Sequence, residues 1–225
     1  GGNAISLTET TGNVTVLQAV NAGAGTTAIT LDGANKLLTN GAAAITGTTG
    51  VTLTADQMAL TGGTVVATGA IATLVQKTNG QLINLGAAAD ATPGTLGLSD
   101  AELDTVTAGT LRVGNANSGA VTVSTAINPA SAPILKITSG AGISGGANLI
   151  TNASIALVAG GTGTISVTTA ANNLAATAAN GAITISDASP GGTLSVTTVD
   201  GVVGISSGGN AISLTETTGN VTVLQ

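Results

Sequence analysis

Short triplets of the form apolar, small or polar, apolar recur along this chain. They include Ile5-Ser6-Leu7, Val14-Thr15-Val16, Ile29-Thr30-Leu31, Val51-Thr52-Leu53 and Met58-Ala59-Leu60. Further on come Leu111-Arg112-Val113, Val121-Thr122-Val123, Ile155-Ala156-Leu157, Ile165-Ser166-Val167, Ile183-Thr184-Ile185 and Leu194-Ser195-Val196. Alternation with period two is the mark of a strand with one buried face. The apolar members are mostly β-branched or Leu, which suit strands. Gly, Asn, Asp, Ser and Thr, the turn formers, lie between the triplets. From Ile155 the triplets start near 155, 165, 174, 183, 194, 203, 212 and 221, steps of about nine or ten. Between about 33 and 100 the spacing does not fix a register.

Strands this short at this spacing suit either a sandwich of hairpins or a solenoid whose coils stack on one another. Three features favour the solenoid. The pattern runs on without a cap, the strands are short and even, and the chain has no Phe, Tyr or Trp. A sandwich core normally uses aromatics to fill the space of about 10 Å between sheets. A narrower solenoid core is filled by Val, Ile, Leu and Ala.

A second feature sets the scale. Gly1–Gln18 reads GGNAISLTETTGNVTVLQ, and Gly208–Gln225 repeats it letter for letter, a period of 207 residues (208 minus 1). The expectation is a window on a longer array. Residues 1–225 then form one continuous solenoid segment, a 207-residue repeat followed by 208–225, which repeats 1–18. An all-β parallel solenoid of about 19 residues per coil would place about eleven coils in each period. At about 4.8 Å per layer, one period would advance roughly 52 Å.

Composition narrows the function. Charged residues make up 6% of the chain and hydrophobic ones 43%, the reverse of a disordered sequence. Four Lys or Arg, no His and no aromatics leave neither an electrostatic footprint nor a stacking surface for nucleic acid. Apolar runs such as Ala70–Val75 are too short to span a bilayer. The absence of Cys fits an exported bacterial protein that does not use disulfides.

One stretch differs. Leu98 to Asp104 holds three of the ten acids, and Ser99 with Glu102 forms the S-x-x-E capping pattern. This predicts one or two helical turns, or a bulged corner, at 99–106, with Leu98, Leu103 and Val106 on one apolar side. The plain expectation is a solvated corner. A cation site at Asp100, Glu102 and Asp104 is the alternative.

The run GTLGLSDAELDTVTAGTLRVG at 94–114 resembles a segment of large filamentous-haemagglutinin-like bacterial exoproteins. GAITISDASPGGTLSVTT at 181–198 and GNAISLTETTGNVTVLQ resemble their strand repeats. The resemblance implies a right-handed parallel β-helix and secretion across the outer membrane of a Gram-negative bacterium through a partner pore. It also implies a role in adhesion, aggregation or biofilm at the cell surface. The scarcity of charge and aromatics is a departure that weighs against grip on a specific receptor, since binding hot spots favour Trp, Tyr and Arg.

Enzyme chemistry finds little support, and no catalytic, cofactor-binding or metal residue is assigned. Ser144 and Ser206 sit in G-x-S-x-G, but a nucleophile elbow needs a base and the chain has no His. Outside the corner the acids Glu9, Asp32, Asp56, Asp90, Asp187, Asp200 and Glu216 stand alone in sequence, against the paired carboxylates of a glycosidase. A lyase site wants Lys or Arg beside Asp, which only Arg112, near the acidic corner, offers. Gly160 to Ile165 carries the glycines of a calcium repeat but Ile where Asp is needed. Asn13 and Asn152 begin glycan sequons, relevant only to a eukaryotic secretory route. Thr52 and Thr54 raise an ice-binding ladder, though the middle residue of the triplets varies. Asn residues near turns are expected to stack in ladders. The remaining reading is structural: a stalk or fibre whose partners are neighbouring repeats of the same chain, with lateral association between neutral rods. An adhesin whose outer face binds glycan, ice or another cell is the alternative.

Overall fold

The computed structural model describes residues 2–87 and 89–224. The chain winds in successive coils. The first holds β1 (Ile5–Glu9), β2 (Val14–Val16) and β3 (Val20–Asn21), the second β4 (Thr26–Leu31), β5 (Leu37–Asn40) and β6 (Ala44–Thr46). Then come β7 (Gly50–Thr54), β8 (Gln57–Ala59), the long β9 (Thr64–Val75), β10 (Leu82–Leu85), β11 (Thr95–Leu98), α1 (Asp100–Asp104), β12 (Val106–Val113) and β13 (Val121–Val123). Regular coils follow as β14 (Ile134–Ser139) with β15 (Ile143–Thr151), β16 (Ser154–Ala159) with β17 (Ile165–Ala170), and β18 (Asn173–Ala178) with β19 (Ile183–Asp187). The last elements are β20 (Thr193–Val196), β21 (Thr198–Val199), β22 (Val202–Val203), β23 (Ile205–Ser206), β24 (Ile212–Glu216) and β25 (Asn220–Val223).

Among the described residues, parallel pairing joins these strands into a 13-stranded sheet, a seven-stranded sheet and a three-stranded sheet, with one small antiparallel pair. The chain is thus a parallel β-solenoid, and every inward rung shows why. On the 13-stranded sheet, Ala72, Leu111, Leu135, Ile155, Leu174 and Val196 are register partners in turn. On the seven-stranded sheet the column is Ile83, Val121, Ile143, Ile165, Ile183 and Ile212. From Ala72 to Leu174 and from Ile83 to Ile183 the columns feed one continuous aliphatic core. Burying each Ile or Leu contributes about 1.5–3 kcal/mol, and in-register stacking lets one residue type fill the same slot coil after coil. No described helix is long and apolar enough to cross a membrane.

Coil length departs from the even spacing expected. The numbering advances by 20 from Leu135 to its partner Ile155 and by 19 from Ile155 to Leu174, but by 39 from Ala72 to Leu111. In that long coil β11 lies parallel beside β10, on the side that touches β8, and α1 closes the corner. Along the 13-stranded order β20 is eight steps from β1, and β24 comes half a coil later. The stretch from Ile5 to Ile212, one full period, therefore makes about eight and a half coils rather than eleven. One period then advances roughly 41 Å at about 4.8 Å per layer.

Glycine decides how closely the corners pack. A Cβ on Gly163 would collide with the Ala141 carbonyl, and one on Gly181 with the Gly163 carbonyl. These two positions stack because Ile165 and Ile183, two residues on, are register partners. Some asparagine side chains tie neighbouring coils: Asn152 Nδ2 donates to the Ala132 carbonyl at 2.7 Å, and Asn172 Oδ1 accepts from Gly191 N at 3.2 Å. Others, such as Asn21 and Asn115, accept within their own turns.

Candidate functional site

The outward face of the seven-stranded sheet carries a column of hydroxyls. Thr122, Ser144, Ser166, Thr184 and Ser213 are register partners in turn, and all five are exposed. Thr168, Ser186 and Thr215 form a second column beside it. Layer spacing sets these donors and acceptors about 4.8 Å apart. Ser144 is thus one rung of a strand rather than a nucleophile at a strand-to-helix turn, and Ser206 is exposed at the end of β23. Thr52 and Thr54 lie on the other sheet. There the column through Thr52 continues to Thr73, Arg112, Lys136, Ala156 and Ala175, so threonine does not persist.

That interruption builds a latch. Arg112 and Lys136 are register partners on β12 and β14. Arg112 donates through Nε and Nη2 to the two carboxylate oxygens of Asp200, each at 2.7 Å, and Lys136 Nζ donates to the Asp200 carbonyl at 2.9 Å. The paired guanidinium holds the Asp200 carboxyl below its ordinary range. Arg112 therefore pairs with an acid far along the chain, not with the acidic corner. Asp200 sits at the tip of the β21–β22 hairpin, with φ of 44° at Asp200 and 78° at Gly201, the two positive values of a type I′ turn. The hairpin folds against the outer face, where Val199 and Val202 pack on Ala156 and Ala175 in a small core of their own. Alanine at those two outward positions leaves room for the valines.

The corner at 99–106 forms as its sequence suggests. Ser99 caps α1, both halves of the capping box are made, and Leu98, Leu103 and Val106 are buried. The three acids go separate ways. Glu102 turns inward, accepting from Leu60 N at 2.8 Å and Ser99 N at 2.9 Å. Asp100 accepts from Asn128 N and Asp104 from Ala130 N, both on the following coil. Among the described residues no group of three or more His, Cys, Asp or Glu is placed to hold a metal.

Two acids that stand alone in sequence turn out to be structural hubs. Asp56 is fully buried and accepts from Asn35 N, Lys77 N and Thr78 N, tying three coils together. Asp187 is also fully buried, accepts from Thr169 Oγ1 and Ala171 N, and is the register partner of Glu216. Burial, with Glu216 opposite, pushes the Asp187 carboxyl up to about 6. The long sequence separation hides this pair, and only the coil length could have found it.

The identical 18-residue segments keep the turn built around their glutamate but differ in their surroundings and at the second glycine, where Gly209 has φ of 98° and Gly2 does not. Glu9 Oε1 accepts from Thr11 N, Thr11 Oγ1 and Gly12 N, and Glu216 Oε1 accepts from Thr218 N, Thr218 Oγ1 and Gly219 N. Yet β1 pairs upward with β4 in the 13-stranded sheet, whereas β24 pairs downward with β19 in the seven-stranded one. Val16, under the next coil, is 6% exposed, and its counterpart Val223 is 63% exposed. Around Val223 an apolar cleft of about 640 Å³ opens, lined by Val196, Ile205, Ile212, Leu214 and Leu224 among others. Comparison of the chain with family models, curated proteins and solved structures gives no match.

Proposed function

We propose that this chain is a structural repeat of a long extracellular filament, a stalk or fibre that supports cell-cell attachment, aggregation or matrix. The observation that carries this reading is the continuity of the stack. Along the 13-stranded sheet the inward column runs from Ile5 to Val196, coil to coil, without a break. Backbone pairing between every pair of coils gives a rod that resists pulling and proteolysis, as in cross-β assemblies. The scarcity of charge weakens repulsion between rods, which favours lateral bundling; imaging only single rods at every ionic strength would count against the bundling. Placement on a Gram-negative cell surface, with an outer-membrane secretion partner, rests on the resemblance at 94–114.

Diffraction or cryo-electron microscopy of the native assembly tests the reading. A layer spacing of about 4.8 Å with a rise of roughly 41 Å per sequence repeat is expected. Discrete beads without that spacing would overturn it.

A second reading is favoured by the hydroxyl columns of the seven-stranded sheet: an outer face that binds a regular hydrogen-bonding surface such as a glycan or ice. Replacing Ser166 and Thr184 with Lys would abolish retention on insoluble polysaccharide, or inhibition of ice recrystallisation, if this face binds. Unchanged retention, or none in the parent protein, removes it.

A further inference from the structure

The 18-residue segment occurs twice, and each copy shows one side of its surroundings. At residues 2–18 the coil Thr26–Asn40 lies above. Ile5, Leu7 and Glu9 pair with Thr27, Ile29 and Leu31, and Val14 and Val16 with Leu38 and Asn40. Side-chain and backbone bonds close this contact: Leu37 N donates to Asn13 Oδ1 at 2.9 Å and Gly41 N to the Val16 carbonyl at 3.0 Å. At 208–224 the coil Ile183–Val196 lies below, through Ile183 with Ile212 and Val196 with Val223.

Glycine gives an independent sign that one segment is built for both neighbours. A Cβ on Gly219 would collide with the Gly192 carbonyl beneath it, so the lower coil requires glycine there. Its counterpart Gly12 has only Glu9 Oε1, at 3.7 Å, within reach of a Cβ, and its φ is not in the left-handed region. Gly12 thus answers to a neighbour that the first copy does not have, and the second copy does.

We propose that the open edge of β24 and β25 is a seat for the Thr26–Asn40 coil of a second copy of this chain, which enters with its two long sheets exchanged. The exchange follows from the pairing. β24 belongs to the seven-stranded sheet, but its counterpart β1 carries β4 in the 13-stranded sheet. A second copy that seats its β4 on β24 therefore continues the seven-stranded sheet with its own 13-stranded one, and its β5 falls on β25. Val223 and Ile212 become covered as Val16 and Ile5 are, and the second copy's Leu37 N finds Asn220 Oδ1. This inference rests on the filament reading and adds how successive repeats meet.

The test is a tandem protein in which residues 1–225 run on into a second copy of 19–225. The chain has no cysteine, so pairs can be introduced for a short bis-maleimide. Ser213→Cys with Ala28→Cys in the second copy reports the exchanged joint, because Ser6, the counterpart of Ser213, is the partner of Ala28. Thr222→Cys with the same second-copy Ala28→Cys reports a joint in which the sheets keep their places. Ser6→Cys with Ala28→Cys in the 225-residue protein sets the yield for true neighbours. Crosslinking of the first pair at that yield, and not of the second, is the expected result. Crosslinking of the second pair, or of neither, overturns the proposal. If neither links while the native assembly still shows its layer spacing, the joint fails and the filament stands; loss of the spacing removes the filament itself.

Discussion

Asp187 and Glu216 face one another as register partners on β19 and β24, two carboxylates on adjacent rungs with the first fully buried. Asp187 Oδ2 has no hydrogen-bond partner. Because burial and Glu216 raise the Asp187 carboxyl from 3.8 to about 6, the folded chain holds a proton that the unfolded chain releases between those values. The stabilisation is fully present below about pH 4 and is lost as pH rises through about 6. Asp187→Asn keeps an acceptor for Thr169 and Ala171 and offers Glu216 a donor. It should stabilise the protein by about 1–2 kcal/mol at about pH 7, with the gain vanishing near pH 4. Denaturant midpoints of both proteins at the two pH values check this, and an equal gain at both would contradict it.

Removing the latch acts locally. Asp200→Ala frees Arg112 and removes the longer Lys136 ion pair, while Lys136 keeps its bond to the main-chain carbonyl. It should cost about 1–2 kcal/mol, a modest figure because Arg112 is more than a third exposed. The sharper readout is the hairpin. Cleavage within 198–203 by thermolysin should rise several-fold while the rest of the solenoid stays resistant. Uniform protection would show that Val199 and Val202 hold the hairpin unaided.

Glycine substitutions should divide by what lies one coil away. Gly163→Ala forces a methyl against the Ala141 carbonyl and should cost roughly 2–3 kcal/mol. Gly12→Ala meets only Glu9 Oε1, at 3.7 Å, an ordinary contact, and should change the stability of the single-copy protein by less than about 0.5 kcal/mol. Thermal unfolding of the two variants distinguishes them, and equal losses would refute the account of the corners.

Glu102 supplies the bond that ties the long coil to Leu60. Glu102→Ala leaves Leu60 N and Ser99 N without their acceptor and should cost about 2–4 kcal/mol. Glu102→Gln keeps one acceptor oxygen and should recover part of the loss. Burial raises the Glu102 carboxyl, so this acid also loses stabilisation as pH rises. Hydrogen exchange at Leu60 N, fast in the Ala variant and slower in the Gln variant, is the direct readout.

Much of the fold was legible because inward rungs impose period two. Ile155, Ile165, Leu174, Ile183 and Leu194 each fall in a strand of the stack. The step near 203 did not. There Val199-Asp200-Gly201-Val202 makes a hairpin, and an Asp-Gly pair between valines is the local signal that periodicity passed over. Coil length between 72 and 111 was hidden because β11 and α1 add residues without adding a step to the 13-stranded sheet. The capping box at Ser99 and Glu102 was readable, being local. The pairs Arg112 with Asp200 and Asp187 with Glu216 were not, since each depends on how many residues a coil consumes.

The half-integral number of coils in a period has a consequence for symmetry. If successive copies join through the exchanged sheets as proposed, each would be turned by about half a turn along the fibre relative to the last, so the fibre would return to its starting orientation only after about twice the sequence period. Successive hairpin latches would then point to opposite flanks, and so would successive hydroxyl columns. Such a fibre would be a two-sided ribbon, able to meet like neighbours on both flanks, although its sequence repeats as though it had only one.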